Sequence, residues 1–342
     1  MSLRYAYNTN GAANHRLDEA IRLIADSGYD GVALTLDHHH LDPFADDWRR
    51  EAERVAALLA SLNLGSVIET GARYLLDYRE KHEPTLLTPD PEGRARRVRF
   101  LQRAVDIAGV LRSETVSFWA GVPKPGVDRK QALDWLDQGL AQVCDYADTA
   151  GVSVSLEPEP GMLIETVGDY QRLAAFHPTL RLALDTGHCL VTQDIEPQDA
   201  VRVHASRLGT VAIEDMRRGD HTHLPFGEGD MNVPAVLGAL KAIGWTGLVC
   251  IELSRESPRA HQAIPEAIAY LKGAEANISP LPASASGRSG PRPDLNSPGD
   301  CLPDAGPGVG ASGAAASSTA AVERHPAGGA PTPNPSLAGR GI

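Results

Sequence analysis

Arg181-Leu-Ala-Leu-Asp185-Thr-Gly-His188-Cys189 is the stretch on which the reading of this chain turns. A short apolar run ends in an acid, a turn follows at Gly187, and a histidine stands three positions beyond the acid. Such a run suits a strand buried on both faces, as in a parallel sheet covered by helices. Its last residue then carries a carboxylate out of the strand's carboxyl end, with His188 beside it. The device recurs. Leu64-Gly-Ser-Val-Ile-Glu69, Val152-Ser-Val-Ser-Leu-Glu157 and Leu248-Val-Cys-Ile-Glu252 end in acids too.

Outward from this stretch, strand-like runs fall near 4–8, 31–37, 64–69, 114–120, 152–157, 181–185, 210–215 and 248–252. Helical patterns separate them. Leu17, Ile21 and Ile24 share a face behind Asn14 as a cap, and Asp128 with Gln131 has capping-box spacing. Pro197 and Pro265 mark helix starts. Eight such units, at spacings of roughly 27 to 50 residues, predict a (β/α)8 TIM barrel, an α/β fold. The rival, an open doubly wound sheet, carries a Gly-rich phosphate turn after its first strand, and Asn8-Thr-Asn-Gly11 is not one. The long polar connection from Thr70 to Pro91 is a candidate substrate-covering loop.

The barrel is expected over residues 1–274. From 275 to 342 there is no Phe, Trp or Tyr, and Gly, Ala, Ser and Pro dominate. Such a segment cannot bury enough apolar surface to offset its ordering entropy, so a disordered tail is expected. Forty-four acids against 32 bases give a net charge of −12, which argues against a nucleic-acid partner. No apolar stretch reaches the roughly 18 residues of a membrane span, and Met-Ser-Leu-Arg-Tyr lacks a signal-peptide core. Cys144, Cys189, Cys250 and Cys301 show no CxxC spacing, so a reduced cytoplasmic protein is the simplest expectation.

In a barrel all strand carboxyl ends open at one mouth. Glu157, Asp185 and Glu252 should therefore converge there. Like charges at close range raise one another's pKa, and a divalent cation removes the conflict. One such acid would be read as a helix cap or an arginine partner; three on related strand ends favour a metal.

Leu-Glu157-Pro-Glu-Pro, Leu-Asp185-Thr-Gly-His188, His223-Leu-Pro-Phe-Gly-Glu-Gly-Asp230 and Ile-Glu252-Leu resemble motifs of the sugar-phosphate isomerase/epimerase family. These are xylose-isomerase-like barrels related to endonuclease IV, and the resemblance covers about residues 1–273. It implies one divalent ion held by Glu, Asp, His and Glu from strands five to eight, here Glu157, Asp185 and Glu252. The family's strand-seven histidine stands three residues before an acid, and that place is Ala212, before Asp215. Three outcomes are open: three carboxylates completed by water, replacement by His221 or His223, or loss of the metal. The first two are preferred. His221-Thr-His223 also resembles the Asp-x-His that binds a further zinc in endonuclease IV.

Other residues are candidates for binding substrate. His188 could hydrogen-bond a hydroxyl, as its family counterpart does. Arg217 and Arg218 could hold a phosphate or hydroxyls through guanidinium forks. Glu159 lies just past Glu157, and Trp119 or Phe118 could form a wall against a sugar ring. Glu69 is a second-site acid, the His38–His40 run reads as a polar loop, and Cys189 as inert. Gly227-Glu-Gly229 is no phosphate loop, because no Lys-Ser/Thr follows.

The expected function is divalent-metal-dependent isomerisation or epimerisation of a small keto-sugar, polyol or sugar phosphate. An enediolate would be stabilised by the cation, with Glu157 and Glu252 removing and returning the proton. A carboxylate-rich shell suits Mn²⁺ or Mg²⁺, and imidazoles would tilt it to Zn²⁺ or Co²⁺. An inosose-type dehydratase, an endonuclease IV-like phosphodiesterase and a non-catalytic metabolite-binding barrel are the alternatives. Barrels of this kind often pair, so a homodimer is an expectation; a membrane partner is not.

Overall fold

The computed structural model of the chain describes residues 2–278. In chain order the strands are β1 (Arg4–Asn8), β2 (Gly31–Thr35), β3 (Gly65–Glu69), β4 (Val116–Trp119), β5 (Val154–Glu157), β6 (Arg181–Asp185), β7 (Leu208–Ile213), β8 (Asp215–Arg217), β9 (Asp220–Leu224) and β10 (Leu248–Ile251). The helices are α1 (Leu17–Asp26), α2 (Trp48–Ser61), α3 (Pro91–Leu111), α4 (Arg129–Ala150), α5 (Val167–Ala174), α6 (Thr186–Thr192), α7 (Pro197–Val203), α8 (Val233–Ala242) and α9 (Ala260–Ala276). Eight strands close into a parallel barrel in the order β1-β10-β7-β6-β5-β4-β3-β2, and β8 with β9 forms a separate antiparallel hairpin. The (β/α)8 expectation is met.

The barrel divides its apolar residues by strand alternation. Ala6, Ala33, Val67, Leu248 and Cys250 form a small cluster that fills the lumen. The alternate residues, such as Val32, Leu34, Ile68, Leu182 and Leu184, pack outward with helix residues such as Ile21, Phe100 and Leu140. Burying each large side chain contributes roughly 1.5–3 kcal/mol. Residues above the lumen cluster are polar, and they become the floor of the mouth.

Local chemistry explains several ends. Asp128 caps α4 as expected, its Oδ1 accepting from the Gln131 N–H at 2.8 Å. Asn14 does not cap α1; Arg16 stands at the cap, and the Asn14 N–H donates to Ser257 Oγ. Pro265 does not begin the last helix but lies inside α9, which starts at Ala260 behind a 3-10 turn over Ser254–Arg259. The preference of proline for a first turn misplaced that start, because packing carries the helix past the proline. The seventh strand stops at Ile213, and Asp215 opens the hairpin instead. α9 runs to Ala276, and residues 279–342, where most of the tail was expected, lie outside the described residues.

Candidate functional site

Asp185 ends β6 and is also the N-cap of α6. Its Oδ1 accepts the backbone N–H groups of Gly187 at 2.7 Å and His188 at 3.1 Å. This seven-residue helix was not foreseen, because two turns after a strand give too short a helical period to stand out. Its effect is to fix Asp185 and to seat His188 over the barrel mouth. The His188 Nδ1–H donates to the Pro158 carbonyl at 2.9 Å, which leaves Nε2 turned toward acids. Nε2 lies 3.5 Å from Asp185 Oδ2 and 3.8 Å from Glu159 Oε2, and Nδ1 lies 3.8 Å from Glu157 Oε1. Burial works against a charge on His188, but Asp185 and Glu159 outweigh it and raise its pKa.

The hairpin brings the next two imidazoles. His221 Nε2 lies 3.7 Å from Glu159 Oε1, and its ring stands edge-on to His188 with centroids 4.8 Å apart. Burial and the neighbouring His188 lower the His221 pKa to about 4, so it is a neutral imidazole near neutrality. The His223 ring centroid is 5.6 Å from that of His221. The hairpin is held by Asp215, whose oxygens accept the N–H groups of Gly227 at 2.8 Å and Met231 at 2.9 Å. A Cβ on Gly229 would sit 2.3 Å from Asp215 Oδ1, so the Gly227-Glu-Gly229 run serves this close approach rather than a phosphate.

The cavity at the mouth has a volume of about 260 Å³ and is lined by Glu69, Glu157, Glu159, Glu252, His188 and Trp119 among others. That is below the usual range of about 300–1,000 Å³ for ligand pockets and suits a small molecule. Burial together with nearby carboxylates pushes Glu157 well above the usual carboxylate range, and raises Glu69 to about 8. Asp185 goes the other way. Burial raises it, but His188 and His223 hold it below its ordinary value.

Sequence reasoning placed several residues here and misplaced others. Glu157, Asp185 and His188 each offer an atom within 4.8 Å of the others, as do Glu159, His188 and His221. Glu252 faces the same cavity but belongs to neither group; its Oε1 accepts from Asn10 Nδ2 at 2.7 Å, and β7 separates its strand from β6. Arg217 and Arg218 are not among the residues that line the cavity. Arg218 is exposed and pairs with Glu196 at 2.8 Å, and Arg217 donates to the Glu228 carbonyl from the surface. The antiparallel hairpin turns both outward. Trp119 and Phe118 do line the cavity, and the Arg97 guanidinium lies 4.5 Å from the Trp119 ring. His38 and His39 cluster with Asp37 outside the cavity lining. Burial pushes the Cys189 thiol up, in keeping with an inert residue.

Two sets of residues were missed. The 70–91 connection sends Arg73, Lys81 and His82 into the cavity lining, and Arg73 and Lys81 have no ion pair among the described residues. Ala72, Arg73 and His82 all have positive φ (59°, 39° and 70°), a strain that clusters at functional loops. The other is Glu214. It is fully buried beside Asp185, and both its oxygens lack a hydrogen-bond partner, as do Asp185 Oδ2 and His223 Nδ1. Alternation along the strand was the available signal, since Glu214 has the parity of Ala212. These unpartnered atoms fit a divalent cation, which takes carboxylate oxygens and neutral imidazole.

Comparison with known proteins agrees with this architecture. A family model described as a xylose isomerase-like TIM barrel matches residues 21–274. L-ribulose-5-phosphate 3-epimerase UlaE of Salmonella paratyphi C is 26% identical over 255 residues, which cover 72% of this chain and 86% of that protein. A structure of L-ribulose 3-epimerase superposes with a TM-score of 0.65 at 19% identity, covering 81% of this chain and 96% of the other. A structure of the IOLI protein with a bound zinc atom superposes at 0.67 and 16% identity, covering 82% and 100%.

Proposed function

The chain belongs to the xylose isomerase-like TIM barrel family, and from that premise we propose that it is a metal-dependent epimerase or isomerase of a small keto-sugar or sugar phosphate. One observation carries the reading: acids and imidazoles line a small cavity, and beside His188 and His223 the buried Asp185 and Glu214 keep oxygens without a hydrogen-bond partner. A relative is named for its action on L-ribulose 5-phosphate, and the similar IOLI structure holds a zinc atom.

Asp185 and Glu157 would hold the ion, together with His221 or His223 from the hairpin. When bound, a divalent cation polarises a carbonyl and its neighbouring hydroxyl. Glu157 and Glu252 then divide the proton work at the carbon beside that carbonyl. Glu157 suits one side of that exchange and Glu252 the other, where Asn10 orients one of its oxygens. Ketose orientation falls to Glu159 and His188, and Trp119 forms an apolar wall. Arg73 and Lys81, on the covering loop, take the anion-holding role expected of Arg217 and Arg218.

The cavity volume and the acidic net charge weigh against a duplex substrate. Among the described residues no helix is long and apolar enough to cross a membrane, and Cys144, Cys189 and Cys250 are free thiols, which supports a reducing compartment such as the cytoplasm. A homodimer is proposed from the resemblance alone, and light scattering would read it. The deciding experiment is metal content of the purified protein, followed by a screen of ketoses and their phosphates for exchange of a carbon-bound proton with solvent deuterium. Bound metal with exchange supports the reading. Metal-free protein that exchanges no substrate with added Mn²⁺, Mg²⁺, Co²⁺ or Zn²⁺ overturns it.

A further inference from the structure

We infer that Glu214 supplies the cation ligand that Ala212 removes, so that Asp185, Glu214 and His223 form a site displaced one side-chain step along the seventh strand. The inference rests on the metal reading above and assigns it a ligand. Ala212 is in register with Asp185 on one side and Cys250 on the other. Cys250 belongs to the lumen cluster, so the lumen-facing row passes through Ala212 and next reaches Glu214. Glu214 stands one residue past the end of β7, where the chain leaves the barrel for the hairpin. A longer side chain set one step further on can thus face the same carboxylate as the histidine it replaces.

The geometry is specific. One atom from each of Asp185, Glu214 and His223 lies within 4.8 Å of the others. Asp185 Oδ2, Glu214 Oε1 and Oε2, and His223 Nδ1 have no hydrogen-bond partner, and Asp185 Oδ2 faces the His188 Nε2 at 3.5 Å. No Lys or Arg pairs with Glu214 or Asp185 among the described residues. Two buried carboxylates side by side are tolerated only with a proton or a cation between them. The space is also reserved. A Cβ on Gly187 would lie 2.3 Å from Glu214 Oε1, so a side chain there would displace this carboxylate from where it now sits.

The test is equilibrium binding of Mn²⁺ and, separately, Zn²⁺ by the full chain, read as metal per chain after dialysis and as the melting-temperature shift on adding the ion. Glu214→Gln preserves shape and removes the charge, and should weaken binding at least about 10–100-fold. Glu214→Gln combined with Ala212→His should recover binding, because the imidazole returns to the barrel position. Ala212→His alone provides the readout if Glu214→Gln folds poorly: it should change affinity by competing for the same ion. Wild-type protein that binds neither ion sinks the metal reading as a whole. Wild-type binding with unaltered affinity in Glu214→Gln, or in Ala212→His, overturns the role of Glu214 and leaves that reading standing.

Discussion

The two ends of the barrel treat their acids in opposite ways. At the amino-terminal end Glu114 accepts from Arg4 at 2.7 Å and from the Leu248 N–H at 2.8 Å. Glu275 accepts from the Leu3 N–H at 3.0 Å, the Tyr5 hydroxyl at 3.0 Å and Lys241 at 3.1 Å. Burial raises the Glu275 carboxyl, but the Leu3 N–H, Lys241 and Tyr5 together hold it below its ordinary value. At the mouth, Asp185 and Glu214 keep three oxygens unpartnered, and Glu157 is driven upward. Acids at one end complete the fold. Those at the other keep buried oxygens free of hydrogen bonds, as a ligand site requires and a purely structural cluster does not.

The largest expected effect separates chemistry from folding. Glu157→Gln should lower turnover of the identified ketose by about 10²–10⁴-fold, with the far-UV spectrum unchanged. Near-wild-type turnover would remove the mouth from the mechanism. Glu275→Ala should do the reverse, destabilising the chain by roughly 2–4 kcal/mol in urea unfolding, because it strands the Tyr5 hydroxyl, the Leu3 N–H and Lys241. Its turnover per folded molecule should be unchanged.

Dependence on pH distinguishes the two ends without mutation. Glu69 at the mouth is held near 8 in the folded chain, by burial and then by Glu252, against 4.5 when free. The unfolded chain loses that proton first, so this contribution is present below about 4.5 and disappears as pH rises toward about 8. Glu275 has the opposite sign: its contribution is present above its ordinary value and is lost as pH falls through the lowered one. Melting of chelator-treated protein across pH 4 to 9 should show the alkaline loss, and a profile that rises steadily with pH would contradict it. The smallest effect is assigned to Arg218→Ala, whose ion pair with Glu196 is exposed. It should cost less than about 1 kcal/mol and leave turnover alone. A large loss of turnover would return Arg218 to the site.

Much of this was legible before any coordinates. The β6 run was read to its residue, since an apolar stretch ending in an acid is a local signal. The ends of α9 and β7 were not, because a proline and an apolar run are weaker guides than the packing around them. Asp185 and Glu157 came together as strand-end acids should. Arg217 and Arg218 did not reach the cavity, because nothing in their neighbourhood announces that the chain turns back on itself as β8 and β9.

The amino-acid order by itself determined the eight-unit barrel, the acids at its mouth and the vacancy at Ala212. Each depends on periodicity, on the residue that ends a run, or on an identity at one position. Only the tertiary structure decided that Glu214 meets Asp185, that Asn10 bonds Glu252, and that Arg73 and Lys81 reach the cavity from a distant loop. Those relations are set by sheet closure and by the register between strands far apart in the chain, and neither leaves a mark in the local pattern.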